Sequence, residues 1–286
     1  MRFLSLTLLV FSALVISGCS QIINSQLNNF ADDLSDTIMN HEDPATIAAA
    51  TPTLLVIVDS LASGNRASAD MQLAAAEMYG AFSNAFIGDD PSRQKVLSRR
   101  GLDFAEKGSC NKHRRWCGVT RLSRDEFNDF VDSLGKKDVA VAYALASSWL
   151  GYIQAHSDDW GVVADLARAK TLLEFVVEYD ETHDNAGGHL FLGAIATTLP
   201  PSMGGQPDVG KAHFERTLQL TEGRHLLAKV EYARRYARTM FDQELHNRLL
   251  NEVLEADIHE PGLTLMNAWA KQQAEKLLAE ESDYFD

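Results

Sequence analysis

The stretch GGHLFLGAIATTLPPSMGGQPDVGKAHFERTL, residues 187–218, decides how the chain is read. Inside it, Gly205, Gly210 and Lys211 stand at the spacing of a G-x-x-x-x-G-K phosphate loop. A working loop of that kind follows a strand and ends in Lys-Ser or Lys-Thr, whose hydroxyl holds Mg²⁺. Here residue 212 is Ala, Pro200 and Pro201 break whatever precedes the loop, and Pro207 removes one N–H from the cradle. The stretch reads instead as a connector between two helices. The prolines end the first helix and the glycines permit a tight reversal. Asp208 is expected to cap a second helix beginning near Val209, with Phe214 and Leu218, four apart, facing the core.

The surrounding chain repeats the pattern. Phe191-Leu192-Gly193-Ala194 follows an earlier Trp149-Leu150-Gly151-Tyr152 at an interval of 42 residues. Lys211-Ala212-His213-Phe214-Glu215 similarly answers Lys170-Thr171-Leu172-Leu173-Glu174. A bulky residue followed by Leu-Gly resembles the first-helix signature of a tetratricopeptide repeat, where glycine lets a partner helix come close. Residues 71–107 read as an earlier, degenerate pair and 227–278 as a later one. The expected class is all-α, a superhelix of helical hairpins without a substantial sheet, since each pair buries its apolar face only against its neighbours. A generic helical bundle is the alternative.

Local signals agree. Leu227, Val230, Ala233, Ala237, Met240 and Phe241 share one helical face; Leu245, Leu249, Val253 and Leu254 share another, and Met266, Trp269, Ala270 and Leu277 a third. Asp43-Pro44, Thr51-Pro52 and Asp90-Pro91 each place a cap residue before a proline at a helix start. Gly64, Gly108, Gly135 and Gly223 are expected helix stops. LLVIV at 54–58 reads as buried helix.

The first residues set the compartment. MRFLSLTLLVFSALVISG, residues 1–18, has the basic start, apolar run and small-residue end of an export signal. Ile16-Ser17-Gly18-Cys19 has the form of a bacterial lipobox, with Cys19 as the sulfur that takes the lipid. Residues 19–42 are then a tether with a first short helix, and 43–286 a single helical domain. Ser20, in place of Asp, favours sorting to the outer membrane, facing the periplasm. No later stretch reads as long and apolar enough to span a bilayer. The chain carries a formal charge of −14, and loss of residues 1–18 removes an Arg and no acid. That sign argues against nucleic acid, whose binding rests on Lys and Arg. The two remaining cysteines, Cys110 and Cys117, bracket CNKHRRWC and read as a disulfide closing a short basic loop, with two free thiols as the alternative.

The central segment also carries a family resemblance. Gly187 to Gly193, Leu199-Pro200 through Pro207, and Ala212 to Arg216 are similar to the T-component lipoproteins of TRAP transporters. Diffuse matches extend this: Asn84-Ala85-Phe86, Tyr232-Ala233, Tyr236-Ala237, Leu250 to Leu254, and Asp283-Tyr284-Phe285. The resemblance implies a helical protein with cryptic tetratricopeptide-like pairs, held by lipid in the periplasm and able to form homotrimers. It further implies an internal pore, pairing with a periplasmic substrate-binding protein, and hand-over of small organic ligands.

No catalytic constellation stands out. There is no His-Glu-x-x-His and no G-x-S-x-G elbow, so neither a metal site nor an enzyme is expected, and no cofactor. His183, Asp184 and His189 form the tightest polar cluster, which reads as a loop before a helix. Asp158-Asp159-Trp160 reads as an interhelix turn. Two basic spots stand against the acidic background: Lys112, Arg114 and Arg115 beside His113, and Arg234, Arg235 and Arg238. They read either as internally paired faces or as a docking patch for an acidic partner. The function expected is a non-catalytic accessory of solute uptake. The alternative is an outer-membrane scaffold that binds envelope proteins through a repeat groove.

Overall fold

A computed structural model describes residues 33–64, 67–87, 90–199 and 201–285. Cys19 and the signal segment lie outside the described residues. Among those described there is helix and no strand, so the chain is all-α. A short helix α1 covers 33–39. It is followed by α2 (Pro44–Ser63), α3 (Ala69–Ala85), α4 (Pro91–Lys112), α5 (Arg124–Asp132), α6 (Val139–Ala155) and the single turn α7 (Trp160–Val163). Then come α8 (Leu166–Tyr179), α9 (His183–Ala196), α10 (Pro207–Leu220), α11 (Leu226–Glu231), α12 (Gln243–Glu255), α13 (Thr264–Ala279) and α14 (Glu281–Phe285).

Helix starts follow the caps. Asp43 accepts from the Ala45 and Thr46 backbone N–H groups with Pro44 at the first helical position, and Asp90 caps α4 before Pro91 in the same way. Ser123 and Glu126 close a reciprocal capping box on α5. Thr51-Pro52 is different: Pro52 lies inside α2. The buried Thr51 hydroxyl bonds the Ile47 carbonyl at 2.6 Å, tightening the turn that the proline interrupts. Gly108 is also interior, in α4, because the helix crosses α3 there. A Cβ at Gly108 would stand 2.9 Å from a Leu73 methyl carbon. Only one side of 54–58 is buried: Leu55 and Val58 face the core while Val56 and Ile57 are exposed. With 20 residues and a mean hydropathy of 1.7, α2 is long and apolar enough to cross a membrane by composition, contrary to the sequence reading. In the fold it packs on α3, and its Asp59 is gripped by Arg100 of α4 at 2.6 Å.

The repeated motifs fall on paired helices. Trp149 lies on α6, which packs on α8, and Phe191 on α9, which packs on α10; α8 and α9 also pack on each other. Residues 71–107 correspond to α3 and α4, which cross along most of their length. The connector of the opening stretch is held by the Gln206 N–H, which donates to the Ala196 carbonyl at 2.9 Å. Helix α10 starts at Pro207 with Gln206 at the cap, so Asp208 sits in the first turn instead of capping it. Gly193 and Gly210 make the α9–α10 crossing possible. Added Cβ atoms would stand 3.0 Å from the Phe214 ring and 2.4 Å from the Thr197 methyl. At Gly151 the same argument does not hold, since a Cβ there would meet only Asn84 at an ordinary 3.5 Å.

Two apolar clusters result. One joins α2 to α6 with α8, around Trp116, Phe127, Leu145, Trp149 and Leu172. Arg168 stands over the Trp149 ring at 5.1 Å and donates to the Thr120 and Leu122 carbonyls, fixing the 119–122 turn onto α8. The second gathers Phe214, Leu226, Val230, Leu250 and Val253. Between α11 and α12 the chain runs through a π-helical segment, Tyr232–Ala237. The wider turn shifts the helical phase, and Met240 and Phe241 come out exposed instead of joining the face predicted for them.

Candidate functional site

One cavity of about 350 Å³ opens where α3, α6 and the start of α9 meet. Two helices present one stripe each, at three- and four-residue spacing. From α3 come Asp70, Leu73, Ala74 and Glu77; from α6 come Ala140, Tyr143 and Ala144; His183 and Asp184 close the third side. Small residues on the stripes leave the space, and the acids and Tyr143 give it polarity.

The third side is built from unusual backbone. Asp184, Asn185 and Ala186 take φ values of 49°, 54° and 60°, three consecutive non-glycine residues in the left-handed region. Each such residue costs on the order of 1 kcal/mol. The turn carries Asp184 to the cavity before the right-handed helix begins. Gly187 then passes so close to Tyr143 that a Cβ would stand 2.2 Å from its hydroxyl. The Tyr143 ring is buried, edge-on to His183 at 5.1 Å between centroids.

The electrostatics follow from this crowding. Glu77 and Asp184 are both exposed to solvent at the cavity. Desolvation by the protein atoms around the Glu77 carboxyl, and next the Asp184 charge, push it up to about 7. Burial, followed by the Asp184 charge, pushes the Tyr143 hydroxyl well above its ordinary range. Asp70, at the rim, is paired with Lys112 at 2.6 Å. Among the described residues no cation pairs with Glu77 or Asp184, and no three His, Cys, Asp or Glu side chains gather as a metal cage.

Residues 40–285 match the family model described as TRAP transporter T-component. The chain belongs to the TRAP transporter T-component family. Its role is therefore that of an accessory component of TRAP transport in the bacterial envelope. A comparison with curated proteins finds no match.

The structure separates the polar residues that sequence reading grouped in this T-component. His183 and Asp184 face the cavity, whereas His189 turns to α10, its Nδ1 lying 2.8 Å from His213 Nδ1. Burial, then the His189 charge, pushes His213 down to about 4, and burial lowers His189 as well. Asp159 caps α7, and Asp158 pairs with Lys95 at 2.7 Å.

Cys110 and Cys117 are joined in a disulfide at the end of α4. The basic residues are largely engaged within the chain. Lys112 holds Asp70, and Arg115 pairs with Asp138, which is fully buried. Arg234 and Arg235 both pair with Glu231, at 3.0 and 2.6 Å. Arg238 donates to the Leu277 carbonyl at 3.2 Å and lies over Tyr284. Of the six, Arg114 is exposed without an ion pair among the described residues. Sequence reasoning missed Glu77, Tyr143 and Ala140. The signal available was the α3 stripe, in which two acids bracket Leu73 and Ala74; nothing local says that the start of α9 lines the same cavity.

Proposed function

We propose that this T-component is a non-catalytic, lipid-anchored periplasmic accessory, held at Cys19, that docks a TRAP-type substrate-binding protein and passes a small organic solute through the α3–α6–α9 cavity. The observation that carries the reading is the cavity itself. It is large enough for a small solute, sets apolar Leu73, Ala74, Ala140 and Ala144 beside convergent polar groups, and is bordered by backbone in a costly conformation. Family membership supplies the transport context. Arg114 and its loop, fixed by the Cys110–Cys117 bridge, are the part of the basic patch free to meet an acidic partner. An outer-membrane location and a homotrimer belong to the same proposal.

Surface plasmon resonance between the purified protein and the substrate-binding protein of the same cell's TRAP system tests docking. A saturable complex weakened by Arg114→Glu is expected. Absence of binding in the presence and absence of solute would overturn the docking half. Sedimentation velocity reads the oligomer directly.

A further inference from the structure

We propose that the exposed face of α2 lies flat on the bilayer, sunk into the headgroup region beside the lipid anchor. The inference rests on the anchor at Cys19. Helix α2 is apolar enough for a membrane span, with a mean hydropathy of 1.7, yet the fold covers little of it. Of its 20 residues six are buried, whereas α6, a core helix of 17, buries twelve. Val56 and Ile57 are 71% and 47% exposed. Exposed Ala45, Ala49, Thr53, Val56, Ile57 and Ser60 recur at helical spacing, so they form one stripe about 22 Å long. The one charged residue of the helix, Asp59, is held by Arg100 at 2.6 Å and by the Tyr79 hydroxyl at 2.8 Å, which leaves the stripe without a charge.

The tether and the charge of the chain say what covers this face. Fourteen residues separate Cys19 from Asp33, where α1 begins, so the lipid lies within about 50 Å of α1 even at full extension. The chain is then fixed to the body beside the start of α2: the Gly262 N–H donates to Asn40 Oδ1 at 2.8 Å, and His259 meets Glu42 at 3.2 Å. Helix α2 is thus the first long helix that the anchor brings to the membrane. A chain of net charge −14 is repelled by anionic headgroups wherever its surface is acidic, and the α2 stripe is a face it presents without that repulsion. Tethering also raises the local concentration of the stripe at the bilayer, so a face too weakly apolar to bind alone docks once anchored. The helix lies in the plane of the membrane and does not cross it, since crossing would strip Leu55 and Val58 from the core and carry Asp59 into hydrocarbon.

A spin label at Val56→Cys, with Val209→Cys on α10 as the comparison, reads the contact. Both positions are exposed, so neither substitution disturbs the core. The lipidated protein is placed on vesicles of phosphatidylethanolamine and phosphatidylglycerol, and collisions of each label with an aqueous nickel reagent are measured. The label at 56 is expected to collide at least about fivefold less often than the label at 209, as for a residue sunk about 5–10 Å into the interface. In buffer, the same labels on protein carrying Cys19→Ser, which takes no lipid, should be similarly open. If the two labels are equally open on vesicles while mass spectrometry finds the lipid on Cys19, the anchor stands and the docking face is wrong. If the label at 56 is shielded in buffer as well, protein covers α2, a second copy where spin–spin broadening appears, and the inference is overturned. If mass spectrometry finds no lipid, the anchor reading falls and takes this inference with it.

Discussion

Replacing Gly210 with alanine puts a methyl group where α9 and α10 cross. Its Cβ would lie 2.4 Å from Thr197 Cγ2 and 3.1 Å from the Gly193 carbonyl oxygen. Neither neighbour is the loose end of a long side chain: Thr197 is buried, and its hydroxyl donates to that same carbonyl at 2.8 Å. Overpacking of this kind costs about 1–3 kcal/mol. A 2.4 Å approach to a buried methyl stands at the upper end of that range, about 2–3 kcal/mol; a gain of roughly 1 kcal/mol in helix propensity offsets part of it, leaving a net loss of about 1–2 kcal/mol. For a domain of this size the melting temperature should fall by about 2–8 °C. Circular dichroism melts and urea titrations measure it. Thr197→Ser removes the obstructing methyl and keeps the hydroxyl, so Gly210→Ala should cost less in that background. The double-mutant cycle should show a favourable coupling of about 1 kcal/mol. An unchanged or raised melting temperature, or strict additivity, would refute the claim that Gly210 is there for helix packing.

Three further outcomes follow from the ionisable groups. Arg115→Ala strips the ion pair from fully buried Asp138 and should destabilise by about 3 kcal/mol at pH 7, since the buried carboxylate keeps the Gly135 N–H but loses its countercharge; exposed Arg114→Ala should stay within about 0.5 kcal/mol, and equal effects in denaturant titrations would contradict the pairing. Carbon-detected NMR should place the Glu77 titration near pH 7 and move it toward its ordinary value in Asp184→Asn; an unmoved midpoint in that variant would show the two acids do not sense each other. His225, held neutral when folded, binds its proton more readily unfolded, so its contribution to stability is present above pH 6.5 and lost as pH falls toward about 4, worth on the order of 3 kcal/mol. Glu77 works in the opposite sense between about pH 4.5 and 7, so the test is the difference between His225→Gln and the parent protein, which should shrink the acid loss; parallel pH profiles would sink it.

Much of the fold is readable from local chemistry. Asp43-Pro44 and Asp90-Pro91 specify helix starts through a side-chain acceptor and a preset φ, both properties of adjacent residues. The paired motifs at 149 and 191 landed on first helices of packed pairs because apolar periodicity and connector chemistry agree there. What misled was chemistry whose meaning depends on distant neighbours. Thr51-Pro52 has the letters of a helix start but sits within α2, and Gly108 has the letters of a stop but serves a crossing with α3. The cavity was less legible still. His183 and Asp184 drew notice as a polar cluster, but the left-handed turn that aims Asp184 has no glycine to announce it. Glu77 becomes significant only when the start of α9 comes to share a cavity with a helix more than a hundred residues earlier. The basic residues showed the same limit, since Arg115 looks free until Asp138 is found buried beneath it.

The central claim, that solute passes through the cavity, is tested most directly by blocking it. Ala140 lines the space from the exposed face of α6, so Ala140→Trp fills the mouth without entering the core. Uptake of the solute carried by the cell's TRAP system should fall in this variant to the level of a strain lacking the protein, while binding to the substrate-binding protein is kept. Uptake at the unaltered rate, in a strain where deletion abolishes it, would contradict the account.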